Sequence, residues 1–352
     1  MFRRSKIRPK KKMSKRKKII SIASVVLILG IIAGGFYYQH FILGKPLPTV
    51  IQPEPEPEPT LQIVDLDSTS RPFGVMINNI GGARPFQSGL QEAFIIYEII
   101  VEGGISRYLA LFIDAETERI GSVRSARHYF LDYALEHDAI YIYHGSSPQA
   151  KNDLRSFRLD TIVVNSSTTG WRDNTIRANS EHRLFTKIEM LEKGMGNRRA
   201  ERNNDFLLNY SIPPINLKEM ENAQVANNVS IRYSSGLINT YEYDTEKEIY
   251  KRSVNNAPHV DFVTKEQYTF KNIITYQVRN THIGRGRQTI HNTGTGTGYF
   301  ITNGYAVPIT WEKKTRSSQT IYRFENGEEI NVNDGNTFIQ IQPTGQQLII
   351  SE

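Results

Sequence analysis

The residues with chemistry to offer fall between Glu98 and His182. In AFIIYEIIVEGGISRYLALFID, Glu98 and Glu102 interrupt a run that otherwise reads as buried. Carboxylates in apolar surroundings suit general acid–base work. If the run is a strand, its period of two puts both on one face, on either side of Ile100. Buried acids need cationic partners, and Arg107, Arg124 and Arg127 follow shortly. VRSAR sets Arg124 at a strand end and Arg127 in the first turn of a helix that Ser125 can cap. Helix N–H groups beside two guanidinium forks make a site for phosphate or carboxylate. YIYHGSSPQ leaves a strand at His144 and enters a Gly-Ser turn that can start another helix. WRDNTIRANSEHRLF adds Trp171, Arg172, Asp173, Arg177 and His182. The catalytic candidates are therefore Glu98, Glu102, His144 and His182. The ligand-binding candidates are Arg107, Arg124, Arg127, Arg172, Asp173 and Arg177.

A structural reading stands beside each: the glutamates as core ion pairs, His144 as a satisfied buried ring. Ser146 and Ser147 follow His144, but no G-x-S-x-G elbow is present. His128, His137, His144 and His182 lack the tight pairing of H-E-x-x-H, so no metal is expected, and no motif asks for a cofactor. HNTGTGTGYF has no lysine after its glycines and runs into a strand; it reads as a turn with a β-bulge, not a phosphate loop. In YKRSVNNAPHVDF, His259 and Asp261 stand two apart, where they can line a surface pocket or close a turn.

These residues sit on two kinds of sequence. From residue 71 to 212, PFGVMIN, AFIIYEIIVE, RYLALFID and AIYIYH are rich in the β-branched and aromatic residues of strands. They alternate with helical patterns at Ser125–Glu136 and Glu181–Lys193, which points to a mixed α/β module. From residue 223 to 352, VSIRY, TYEYD, EIYKRSV, KNIITYQV, GYFIT, AVPITW, QTIYRF and TFIQIQ are short and separated by Gly, Asn and Asp turns. That is the texture of a mainly-β module. Asn326-Gly327 and Asp334-Gly335 read as hairpin turns.

Charge is distributed unevenly. Lysine plus arginine is 43 against 36 acids, a net +7, but eleven of the basic residues lie between Arg3 and Lys18. The rest of the chain is slightly acidic, which weighs against a nucleic-acid partner for the folded part. The absence of cysteine excludes disulfides, thiolate sites and a lipid-modified cysteine. Behind the basic tail (1–18) come twenty uncharged residues from Ile19 to Tyr38, about 30 Å of helix. With Phe36, Tyr37 and Tyr38 at the far end, residues 19–44 read as a transmembrane signal-anchor; the alternative is a cleaved signal peptide with Ala33-Gly34-Gly35 near the cut, whose apolar stretch is ordinarily shorter. The basic cluster puts the N-terminus in the cytoplasm and the folded part outside a cell membrane crossed once. Residues 45–70, with PEPEPEP, read as an extended linker.

Several motifs resemble the YerB-like family of bacterial envelope lipoproteins, also described as domain of unknown function 3048. They are RPFGVMINN, ARPFQSGLQEA, YEIIVEGGISRYLALF, IGSVRSARHYF, AIYIYHGSSPQA and WRDNTIRANSEHRLF, then YKRSVNNAPHVDF, HNTGTGTGYFITNGYAVPITW and NDGNTFIQI. The resemblance spans nearly all of Arg71 to Pro343 and implies an envelope location, with no activity attached. It departs from the family at two points. There is no cysteine to carry a lipid, so the apolar segment must tether the chain, and Arg183 follows His182 where the family has asparagine. A looser similarity of texture is to LytR-CpsA-Psr ligases, whose layout implies arginines holding a lipid pyrophosphate.

The expected function is a membrane-anchored envelope protein that binds an anionic or glycan ligand or an envelope protein. The alternative is an envelope hydrolase or phosphotransferase acting on wall glycan or lipid-linked pyrophosphate, with Glu98 or Glu102 as acid/base.

Overall fold

The computed structural model describes residues 15–44 and 61–352. The first fourteen residues of the basic tail and the Pro/Glu repeat of the linker lie outside the described residues. An α-helix runs from Lys15–Tyr37 and continues as a π-helical turn, Tyr38–Ile42. Its Ser24–Ile42 stretch is long and apolar enough to cross a membrane, and none of it is buried. The helix and the region after the linker are separate compact units.

In the larger unit, every apolar run singled out in the sequence is a strand. Phe73–Asn78, Ile95–Ile100, Ser106–Phe112 and Ile140–Tyr143 come from the first region. Asn272–Val278, Gly294–Thr302, Tyr305–Lys313, Ile321–Phe324 and Thr337–Pro343 come from the second. Among the described residues these belong to one eleven-stranded sheet. The two regions join where Ile95–Ile100 pairs in parallel with Thr337–Pro343, which on its other side pairs with Asn272–Val278. A strand from near the chain's end therefore lies in the middle of the sheet.

The sheet is covered on both faces, as its uninterrupted burial requires. On one side, Tyr97, Ile99 and Leu109 pack with Tyr129, Phe130 and Tyr133 of the His128–Glu136 helix. On the other, Ile96, Ile100 and Tyr108 pack with Tyr233, Tyr241 and Tyr250 of a smaller sheet. That sheet is built around Asn228–Ser234, Leu237–Asp244 and Ile249–Val254. Period two thus sorts the Glu98 strand: Tyr97 and Ile99 face the helix, and Glu98 faces the second sheet.

At that face Glu98 is fully buried. Its Oε1 accepts from Asn79 Nδ2 (3.1 Å) and Ser106 Oγ (2.5 Å). Its Oε2 accepts from Arg252 Nη2 (3.0 Å), Asn239 Nδ2 (2.8 Å) and Gln340 Nε2 (3.0 Å). Asn79 and Ser106 come from the first region; Arg252, Asn239 and Gln340 come from the second. Arg252 is itself wholly buried, donating also to Tyr241 Oη (3.2 Å) and His259 Nδ1 (2.6 Å). A guanidinium can only donate, so His259 carries its proton on Nε2 and donates it to Gln87 Oε1. One continuous polar network therefore spans the seam.

A second buried pair fastens the helical side. Glu136 Oε2 accepts from Lys313 Nζ (2.6 Å) and Thr320 Oγ1 (2.7 Å), and its Oε1 accepts from Tyr97 Oη (2.6 Å).

Several expectations need correction. The helix begins at His128, not Ser125, with Arg127 as the N-cap residue and no side-chain capping bond. The pattern at Glu181–Lys193 divides into a 3-10 turn, Ser180–His182, a strand, Leu184–Thr186, and a short helix, Ile188–Gly194. Asp334-Gly335 is a turn but not a hairpin, because the flanking strands Asn331–Asn333 and Thr337–Pro343 belong to different sheets. The glycine-rich segment is a nine-residue strand in regular register with Tyr305–Lys313, not a bulged turn. Its glycines are there for clearance. A Cβ on Gly296 would stand 2.6 Å from the Trp311 indole nitrogen, and one on Gly298 would stand 2.3 Å from the Thr275 carbonyl oxygen.

Replacing Glu98 by glutamine should leave Arg252 charged and uncompensated in the core. A loss of about 3–5 kcal/mol is expected in denaturant melts. A change below about 1 kcal/mol would mean that the pair does not hold the seam.

Candidate anion site at the strand ends

The carboxyl ends of Phe73–Asn78 and Ile140–Tyr143 point the same way, because these strands are parallel neighbours. The loop at Ser122–Arg124 crosses them: Arg124 N donates to Met76 O, and His144 N donates to Arg124 O. Arg107 is the second residue of the adjacent antiparallel strand, opposite Asn78. Topology, not sequence proximity, therefore brings Arg107, Arg124, Arg127 and His144 to one edge, where open α/β sheets place ligands.

Arg107 is 5% exposed, and its Nη1 donates to Ser125 O at 2.5 Å. Burial, then the charges of Arg127 and Arg124, push its guanidinium down to about 10, with Glu102 only partly opposing them. Arg127 grips Glu102 with two parallel bonds, Nε to Oε1 (2.6 Å) and Nη2 to Oε2 (2.9 Å). Burial pushes the Glu102 carboxyl up, but the hydrogen bonds and charge of Arg127 outweigh it and leave the group below its ordinary value. Among the described residues, the Arg124 side chain has one carboxylate contact, 3.5 Å from the half-exposed Glu181. Among the described residues, Arg107 Nε, Arg124 Nε and the Tyr141 hydroxyl are buried without a hydrogen-bond partner. Three guanidinium groups thus share one firmly bound carboxylate and one distant one.

The remaining candidates divide. His182 is buried at this edge; its Nδ1 accepts from Asn78 Nδ2 (3.0 Å), leaving Nε2 3.5 Å from Glu181. Burial, aided by Arg124, lowers its basicity against the opposing charge of Glu181. His144 donates from Nδ1 to Val164 O (2.8 Å). Ser147 caps the Pro148–Ser156 helix through Ala150 N (3.2 Å), as the Gly-Ser turn suggested. Glu98 and Glu102 do not share a strand face: the strand ends at Ile100, and Glu102 opens a 3-10 turn, Glu102–Gly104. Nor does Glu98 pair with the nearby arginines. Its partner is Arg252, and its five donors leave it no role at an open site.

Arg172, Asp173 and Arg177 do not join the cluster's contacts. Arg172 Nη1 donates to Ser180 O (2.5 Å), and Asp173 pairs with Arg119 (2.8 Å). Arg177 is exposed and makes no ion pair among the described residues. Arg183 donates from Nε to Ala178 O (2.6 Å), a loop-closing role. The sequence reading missed Arg252, although the alternation of Tyr250, Arg252 and Val254 inward along their strand carried the signal.

Two family models match this chain: "Protein of unknown function (DUF3048) N-terminal domain" over residues 60–201, and its C-terminal domain over 229–339. The chain belongs to the DUF3048 family. A relative in that family, the Bacillus subtilis (strain 168) protein named "Putative lipoprotein YerB", is 29% identical over 282 residues, 78% of this chain and 81% of its own. The crystal structure of YerB protein from Bacillus subtilis matches with a TM-score of 0.69 at 28% identity, covering 80% of this chain and 94% of that one. The two family segments meet at the parallel seam described above.

A buried arginine pushed down by its neighbours is held at a cost that a neutral side chain of similar size escapes. Arg107→Met is therefore expected to melt no lower than the wild type. A fall of several degrees would show that the guanidinium stabilises the fold.

Proposed function

We propose that this protein is a membrane-anchored envelope protein that binds the anionic group of an envelope ligand at Arg107, Arg124 and Arg127. The observation that carries the reading is the imbalance at the strand ends. Arg107 is buried and its pKa is driven down by burial and two like charges, while guanidinium donors beside it lack partners among the described residues. An incoming phosphate or carboxylate would accept from the part-exposed Arg124 guanidinium and relieve the repulsion.

Anchoring rests on the Ser24–Ile42 span and on the basic residues before it. By the positive-inside rule the N-terminus is cytoplasmic and the folded unit lies outside, crossing the cell membrane once. The relative's name includes "lipoprotein", which fits a family held at a membrane; here, without cysteine, the apolar helix takes that part. Binding is preferred to catalysis because Glu98 is saturated, Glu102 is clamped as a carboxylate, and His144 makes no hydrogen bond to Ser146 or Ser147.

The test is thermal stabilisation of the full chain in detergent by inorganic pyrophosphate and by anionic wall fragments. A ligand at one hundred times its Kd should add about 2.7 kcal/mol, and Arg124→Ala with Arg127→Ala should abolish the shift. No shift with any anion, or one undiminished in the double variant, would overturn the proposal.

A further inference from the structure

A cleft of about 360 Å³ opens between the Gly81–Pro85 loop of the first region and the Val254–Lys265 segment of the second. It is of the size that admits a small organic ligand. Its walls are apolar, from Pro85, Val254, Pro258, Val260 and Phe262. Its charged groups are Arg84, Asp261 and Lys265, with His259 beside them.

The charges are not balanced. Two cations face one carboxylate, and Asp261 keeps its charge but has both oxygens filled by neutral donors: Oδ2 accepts from Gly89 N (2.9 Å) and Tyr268 Oη (2.8 Å), and Oδ1 accepts from Val263 N (2.7 Å) and Thr264 N (3.1 Å). His259 has both ring nitrogens engaged, with Arg252 and Gln87. The two cations, by contrast, have no carboxylate partner among the described residues. Arg84 uses Nε and Nη2 on the side-chain and main-chain oxygens of Asn79, both at 3.0 Å. This fixes the guanidinium in place while leaving its charge unneutralised. Lys265 donates to Phe262 O and lies 4.1 Å from the centroid of the Phe262 ring.

We infer that this cleft is a second ligand site, distinct from the arginine cluster, that takes a small organic carboxylate with an apolar body. The carboxylate is recognised by Arg84 and Lys265, and the body packs on Pro85, Pro258 and Phe262. Arg84 is pre-set by Asn79, so binding loses little side-chain freedom. Asn79 also donates to Glu98, so the cleft is braced by the seam network.

The probe is 4-phenylbutyrate, titrated calorimetrically into the full chain in detergent, with its neutral amide and inorganic phosphate as comparisons. Saturable binding is expected, at least tenfold tighter for the carboxylate than for the amide. Gly81→Leu should weaken it tenfold or more by filling the mouth. A side chain is tolerated there, since a Cβ at Gly81 meets nothing within 4 Å. Lys265→Gln, at an exposed position, should weaken it with the melting temperature unchanged. Arg124→Ala should leave it intact, separating this site from the strand-end cluster. No saturable binding, equal affinity for the amide, or affinity untouched by Gly81→Leu would each overturn the inference.

Discussion

The carboxylate of Glu98 is the fixed point of this fold. A charge with no solvent exposure is tolerable only if its donors are already in place, and they come from both family segments at once. Neither region can bury its share of the network without the other. The strand pairing at the seam would tolerate many side chains, but five donors converging on one carboxylate specify a single register. Glu98 stands opposite Gln340, and a slip of one residue would turn the carboxylate toward the helical face.

This constraint also governs where chemistry can occur. The groups most conspicuous in isolation, Glu98 and His259, are consumed by the seam, and the Glu136–Lys313 pair is consumed in fastening the helix. What the fold leaves incompletely paired lies at its edges. Among the described residues, the arginines at the strand ends have one clamped and one distant carboxylate between them, and Arg84 and Lys265 have none. Among the described residues, Arg107, Arg124, Arg84 and Lys265, cations without a close carboxylate partner, gather at these two openings of the fold.

Much of this was legible in the chain. Strands announce themselves through β-branched and aromatic runs; the gathering of Arg107, Arg124 and Arg127 depends on strand order, which local spacing does not report. The failures have physical causes. Residue types near Glu98 suggested nearby arginines as partners, but a parallel seam joins residues 242 positions apart, as it does Glu98 and Gln340, and local spacing does not report that. Glycines in HNTGTGTGYF suggest a turn because glycine is poor in strands, yet here they make room for Trp311 and a neighbouring carbonyl. Helical periodicity at Glu181–Lys193 was overridden by pairing of Leu184–Thr186 with Trp171–Arg172 and Ile120–Gly121. The Arg84–Lys265 cleft needed two loops from opposite halves of the sequence, and composition alone does not bring those together.

A buried seam shared by both family segments should couple their unfolding into one cooperative event. Differential scanning calorimetry of the full chain in detergent tests it directly, by comparing calorimetric with van't Hoff enthalpy. One transition is expected for the folded unit, with the two enthalpies equal. Two resolved transitions, or a calorimetric enthalpy about twice the van't Hoff value, would show that the segments unfold separately and contradict it.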